Sequence, residues 1–150
     1  MKVIIKKIDK TALNEALSLV WRVFQEYEAP DYTQQGIDEF YNSIHDESFL
    51  SKLSMFGAFV NEELVGVIAT RNNGTHIALL FVDGNYHRQG IGRKLFQKVL
   101  EQSTASRVTV NSSPFAVHVY RKLGFIDTDK EQTVNGLRFT PMAYIGLNLI

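Results

Sequence analysis

Leu79-Leu80-Phe81-Val82-Asp83-Gly84-Asn85-Tyr86-His87-Arg88-Gln89-Gly90-Ile91-Gly92-Arg93-Lys94-Leu95 is the stretch on which the reading of this chain turns. His76 to Val82 is an apolar run of strand length. From Gly90 to Gln102 the apolar residues recur at Ile91, Leu95, Phe96, Val99 and Leu100, while Arg93, Lys94, Lys98 and Glu101 take the other face, as in an amphipathic helix. A strand thus runs through a polar turn into a helix that opens on Gly-Ile-Gly. The first amides of a helix have no intrahelical acceptor, and glycine lets an anion approach them without a Cβ in the way. The positive end of the helix dipole adds about 0.3–1 kcal/mol per favourable charge. Arg88, Arg93 and Lys94 can supply side-chain charge as well. A P-loop would need Lys-Ser or Lys-Thr after its second glycine, and a dinucleotide fingerprint needs three glycines in a βαβ unit; neither occurs here. A tight turn that merely prefers glycine is the competing reading.

Working outward, Met55 to Val60 and Leu64 to Thr70 are two further strand-like runs, separated from each other and from His76 by Asn-, Glu- and Gly-containing turns, which predicts an antiparallel meander. Val3 to Ile8 reads as a strand. Asp9 or Thr11 offers a cap for a helix with apolar positions at Leu13, Ala16, Leu17, Val20, Trp21 and Phe24. After Ala29-Pro30-Asp31, Thr33 caps a second helix with Ile37, Phe40, Tyr41 and Ile44 on one face. Downstream, Arg107 to Val110 is a short strand, and Ser112 or Ser113 with Pro114 starts a helix that ends at Leu123, where Gly124 suits the left-handed cap. Asn135-Gly136 predicts a hairpin between Thr133-Val134 and Leu137-Phe139. Pro141 predicts an edge or a bulge in the last strand.

At 150 residues the chain has the length of one domain, 1–150, with no linker or internal repeat. Sixteen basic residues balance 16 acidic ones, which argues against a broad surface for nucleic acid or anionic lipid, so any anion site is local. With no cysteine, disulfides, thiolate-ligated zinc and cysteine nucleophiles are excluded. No apolar run approaches membrane-spanning length, and Met1 to Lys7 carries charge too early for a signal peptide; a cytoplasmic protein is expected.

His87-Arg88-Gln89-Gly90-Ile91-Gly92 resembles the coenzyme-binding motif of the GNAT superfamily, Gln or Arg, two variable residues, Gly, one variable residue, then Gly or Ala, with His87 departing at the first position. Asn111-Ser112-Ser113-Pro114-Phe115-Ala116-Val117-His118-Val119-Tyr120-Arg121-Lys122-Leu123-Gly124-Phe125 is similar to the family's later segment, in which a loop rich in Asn or Ser opens a helix ending in Tyr, two variable residues, Leu-Gly-Phe. The order of elements resembles the GNAT fold over nearly the whole chain. The fold class implied is α/β (α+β), a mixed, mainly antiparallel sheet of about seven strands flanked by about four helices in the order β-α-α-β-β-β-α-β-α-β-β. In that fold the fourth and fifth strands splay and the pantetheine of acetyl-CoA enters between them.

The resemblance implies an acetyl-CoA-dependent N-acetyltransferase that needs no metal and uses a small-molecule or peptide amine as acceptor, with no nucleic acid or membrane partner; homodimer formation stays open. It places the pyrophosphate on the amides of Arg88, Gln89, Gly90, Ile91, Gly92, Arg93 and Lys94, and the pantetheine along the backbone of Phe81 and Val82. It gives Asn111 a hydrogen bond to the coenzyme and puts Tyr120 beside the thioester sulfur as general acid. From the residues alone, Tyr120 is equally a core aromatic facing with Ala116 and Leu123, and Asn111 a strand-end turn residue. His118 falls on another helical face, away from the site. An amine acceptor must lose a proton before it attacks, and His76, Glu26 and Glu28 are candidate bases, each also readable as a surface residue. Glu26, Tyr27, Tyr32 and the hairpin around Asn135 are expected near the acceptor by fold analogy. A non-catalytic acyl-CoA sensor and a nucleotide- or phosphate-binding interaction domain are the alternative functions.

Overall fold

The β-branched and aromatic runs pair as their lengths suggest. In the computed structural model, which describes residues 1–103 and 106–146, β1 (Ile4–Lys7), β2 (Ser54–Val60), β3 (Glu63–Arg71) and β4 (His76–Val82) are consecutive antiparallel neighbours. The chain then crosses through α4 (Ile91–Gln102) and returns as β5 (Arg107–Ser112), parallel to β4. The last strand, β8 (Leu137–Ile145), lies antiparallel to β5 and carries β6 (Ile126–Asp127) and β7 (Gln132–Val134) on its other flank. Helices α1 (Leu13–Val23), α2 (Gln34–Ile44), α3 (Glu47–Ser51) and α5 (Val117–Lys122) complete the chain. The expected domain span, 1–150, includes positions 104–105 and 147–150, which lie outside the described residues.

This is the expected mixed, mainly antiparallel sheet flanked by helices, with eight strands and five α-helices among the described residues in place of about seven and about four. The additions are the five-residue α3, capped by Asp46 accepting from Ser48 N–H at 3.0 Å, and the two-residue β6. Neither is long enough to display a period.

Strand β3 divides the interior into two cores, its alternation interrupted at Val65, where the register with β2 shifts. Val67 and Ala69 face α1 and α2, where they meet Ala16, Val20, Phe24 and Ile44; Val65 and Ile68 face α4, where they meet Ile91, Leu95 and Val99. Each fully buried aliphatic or aromatic side chain contributes about 1.5–3 kcal/mol. Gly66 sets how closely α4 approaches, since a Cβ there would lie 3.2 Å from both Ile91 Cγ2 and Leu95 Cδ1.

Three local expectations are corrected. Helix α1 has no side-chain cap: Asp9 instead closes the preceding turn, accepting from the N–H and hydroxyl of Thr11 at 2.9 and 2.6 Å. Helix α5 begins at Val117, because Ser113 to Ala116 forms a separate turn in which the Ala116 N–H meets the Ser113 carbonyl at 3.1 Å and its hydroxyl at 3.2 Å. Pro141 lies in the interior strand β8, not on an edge. It is tolerated because its carbonyl, and hence its missing donor, points to the flank where β8 changes partner from β7 to β6, and Thr128 N–H reaches that carbonyl at 2.8 Å. The remaining elements fall where read with their ends shifted by one or two residues, β5 running on to Ser112 in place of the expected Arg107 to Val110. Thr33 caps α2; Gly124, at φ +104°, ends α5 with Phe125 N–H bonded back to the Tyr120 carbonyl at 3.0 Å. Asn135 and Gly136, at φ +53° and +80°, make the two-residue hairpin turn.

Candidate active site

Strand β4 pairs with β5 only over its first two residues, His76 opposite Thr109 and Ile77 opposite Val110 in the middle of β5, and the two then part. The β3 side of β4 stays paired to Val82, with the register shifting at Ala78. Because Asp83 N–H bonds to the Val65 carbonyl at 2.8 Å, antiparallel alternation commits the polar groups of Phe81 to β3 and turns those of Leu80 and Val82 toward the gap. The gap is therefore lined by the backbone of Leu80 and Val82, and Phe81 contributes its side chain. The Val82 carbonyl is already used: His87 Nε2–H donates to it at 2.6 Å. That contact gives the unusual histidine of the motif a role in bracing the turn.

At the mouth of the gap the chain turns through Arg88 (φ +63°) and Gly90 (φ +82°) into α4. The first α4 bond runs from Lys94 N–H to the Gly90 carbonyl at 3.1 Å. Among the described residues, the amides of Arg88, Gln89, Gly90, Ile91, Gly92 and Arg93 have no protein acceptor. A Cβ built on Gly90 or Gly92 meets nothing within 4 Å, so the space above the turn is open to a ligand. Arg88 and Lys94 are exposed there, whereas Arg93 donates to the Lys122 carbonyl at 2.9 Å and ties α4 to the end of α5. Gln89 holds the Asn85 carbonyl at 3.1 Å, and Ile91, 1% exposed, is core. Arg22 and Asp83, 3.0 Å apart, and the Tyr27 ring packed on Gly84 and His87 join the end of α1 to this turn.

Below the mouth, a groove of about 460 Å³ runs between the parted strands, α2 and the β7–β8 hairpin. Its walls include Phe24, Phe40, Leu80, Phe81 and Phe139; its polar groups include Glu28, Tyr32, Glu39, Arg71, Asn111, Ser113, Tyr120, Asn135 and Arg138. Helix α1 ends in a π-helical turn, Phe24–Glu28, followed by the 3₁₀ turn Ala29–Asp31, and Phe24, Glu28 and Tyr32 all reach the groove. Burial pushes the Glu28 carboxyl up to about 7, with Asp31 adding repulsion and a hydrogen bond from Ser113 working the other way. Tyr120 is 5% exposed, edge-on to Phe125, and burial together with the nearby Glu28 charge raises its pKa further above neutrality, so it remains a proton donor. Its hydroxyl has no hydrogen-bond partner among the described residues.

The sequence-derived site is thus brought together in two places. Gly90 and Gly92 with the neighbouring amides form the turn at the mouth, while Phe81, Asn111 and Tyr120 line the groove beside Glu28, Tyr32 and Asn135. Two candidate bases lie elsewhere. Glu26 is exposed and off the groove. His76 Nδ1 is hydrogen-bonded with the Thr109 hydroxyl at 2.8 Å, and burial plus the Arg71 charge lowers its pKa to about 4, too low for an effective base at neutral pH. Tyr27 packs against His87 and Gly84 of the turn and does not line the groove, and His118 is exposed as expected. Sequence reasoning missed Leu80, Glu39, Arg71, Ser113 and Arg138. The period-2 reading of β4 would have found Leu80; for the others, the signal is tertiary.

An acetyltransferase (GNAT) domain model matches residues 28–145. Among curated proteins no sequence relative is found. The fold is similar to that of a GCN5-related N-acetyltransferase from Rhodopseudomonas palustris (TM-score 0.83, 19% identity, covering 97% of this chain and 96% of that one). It is similar also to apo YjaB from Escherichia coli (0.75, 21%, 97% and 99%) and to the PaiA N-acetyltransferase from Thermoplasma acidophilum, solved with coenzyme A (0.73, 18%, 97% and 99%). With the family's domain matched over most of its length and the splayed strands and glycine turn in place, the chain belongs to the GNAT acetyltransferase family.

Proposed function

We propose that this acetyltransferase moves the acetyl group of acetyl-CoA to a primary amine by direct attack, with Tyr120 as general acid and Glu28 as general base. What supports this most is the pairing of unpartnered amides at the glycine turn with a groove, where β4 and β5 part, that holds a buried tyrosine and a carboxyl of raised pKa. The amides of Arg88 to Arg93, with Arg88 and Lys94, suit a diphosphate; the Leu80 backbone and the Val82 N–H suit an extended amide-bearing arm. Asn111 faces the same gap.

The acceptor arrives largely protonated, since a lysine-like amine has a pKa of about 10.4. A carboxyl near 7 is about half ionised at neutral pH and takes the proton more readily than an ordinary one. The amine nitrogen forms its bond to the thioester carbonyl carbon and releases its second proton to solvent, the carbon–sulfur bond breaks, and the Tyr120 O–H protonates the departing sulfur. The tyrosinate is then reprotonated from Glu28 or solvent, so amine and thioester become amide and free thiol with no net change in the protein.

The test is release of free thiol from acetyl-CoA across polyamines, aminoglycosides, amino acids and peptide N-termini, with the product identified by mass. Thiol and N-acetyl product formed one to one support the reading. Tight acetyl-CoA binding without thiol release on any amine would make the protein a sensor instead.

A further inference from the structure

Arg71, the last residue of β3, is the groove's one cation without a partner among the described residues. Its Nε is buried and bonds to nothing, and no carboxylate pairs with its guanidinium. Arg138, across the groove, is fully engaged: it contacts both Glu131 oxygens at 3.3 and 3.2 Å and the Asp31 carbonyl at 3.3 Å. An arginine stays charged at any physiological pH, and shielding such a charge without a counter-ion is costly. Proteins hold one this way where a ligand supplies the anion, and the guanidinium fork fits a carboxylate in particular.

Alternation on β3 tells which ligand. Arg71 points to the same face as Val67 and Ala69, toward α1 and α2, and shares the groove with Glu39 of α2 and with the β7–β8 hairpin. The coenzyme turn belongs to α4, on the opposite face. Resting on the acetyltransferase reading above, we propose that Arg71 binds the carboxylate of the acceptor, so that the substrates are amines carrying a carboxylate, of the amino-acid class, with an apolar body against Phe24, Phe40 and Phe139. Glu28, on the same wall as Phe24, then lies on the side of the amine, while Arg71 holds the other end. The neighbouring His76, cross-strand from Arg71, is kept neutral by its burial and further by that charge, and does not compete for the anion.

The experiment uses matched pairs, L-leucine with L-leucinamide and L-phenylalanine with L-phenylalaninamide, titrated calorimetrically into the protein loaded with CoA, which cannot react. The acids should bind at least about tenfold more tightly than the amides, the range expected of a hydrogen bond to a charged group. Arg71→Met should abolish the preference, Arg71→Lys should keep part of it, and CoA affinity should be unchanged in both, which certifies their folding. Equal or tighter binding of the amides, no saturable binding of either acid, or a preference that survives Arg71→Met overturns the proposal. Succinyl-CoA binding tenfold tighter than acetyl-CoA, and losing that gain in Arg71→Met, overturns it too by moving the carboxylate to the acyl chain. Failure of CoA itself to bind would instead refute the acetyltransferase reading, and the acid–amide comparison without CoA would still be readable.

Discussion

At the residue scale the account depends on Tyr120 and Glu28. Tyr120→Phe keeps the ring against Phe125 and removes only the hydroxyl, so acetyl-CoA Kd and Tm should hardly move while kcat falls. A positioned general acid contributes about 10²–10⁴. A thiol leaving group, with a pKa near the cysteine reference of about 8.5, departs without full protonation, so the lower end is expected. Equal kcat values, with chemistry rate-limiting, return Tyr120 to a packing role. Glu28→Gln should lower kcat/KM and remove its acid limb, since wild-type activity should rise with pH as the carboxyl ionises at about 7. The sign for stability is opposite. Its folded pKa lies above the ordinary 4.5, so the folded state loses stability as pH rises from there through about 7. Glu28→Gln should therefore gain Tm relative to wild type at pH 8 and not at pH 4; a gain at both would rule out the elevated carboxyl. The types of these residues were readable in the sequence, and Tyr120 stood out through its motif. That Glu28 leaves the surface was not, because its π-helical turn and the β7–β8 hairpin wall one groove only in the tertiary fold, with α1 packed on β3 and β4 and α2 on β8.

At the element scale, the hairpin that walls the groove is seated on α2 backbone to backbone. A Cβ on Gly36 would run into the Gly136 carbonyl, and one on Gly136 would come within 2.5 Å of Gly36 N. Gly to Ala inside a helix normally gains about 0.5–1 kcal/mol. Here Gly36→Ala should destabilise, because the added methyl pushes the hairpin from the groove. Acceptor KM should rise while acetyl-CoA Kd stays as in wild type, and a stabilised variant with unchanged KM would show that the contact does not hold the wall. The hairpin itself was legible from Asn135-Gly136, and the meander and α4 from their periods. The α5 start was not: Ser113 and Pro114 carry a helix-start signature, but pairing of Ser112 with Thr140 extends β5 and leaves room only for a turn before Val117.

At the scale of the molecule, the glycine-rich turn opens α4 on one face of the sheet, and the groove draws walls from both cores, Phe24 and Phe81 from one and Val110 and Tyr120 from the other, where strands β4 and β5 part. Their shared end is fixed by His76, whose folded pKa near 4 lies below the ordinary 6.5; the stability it contributes is present above 6.5 and lost as pH falls toward 4. His76→Gln should flatten the acid side of a Tm–pH profile, and an unchanged profile would contradict the buried, neutral imidazole. With basic and acidic residues in balance the chain carries no net charge to steer an anionic coenzyme, so on the proposed mechanism its capture falls to the local turn. Gly92 gives the cleanest access to that turn: it sits in the first turn of α4, has open space above it and needs no positive φ. The most direct test is therefore calorimetric titration of acetyl-CoA into wild type and Gly92→Glu, with ATP as competitor. The account predicts saturable binding to wild type that ATP displaces poorly, and at least a tenfold loss in a variant whose Tm is equal or higher; unchanged affinity in Gly92→Glu, or ATP competing as well as CoA, would contradict it.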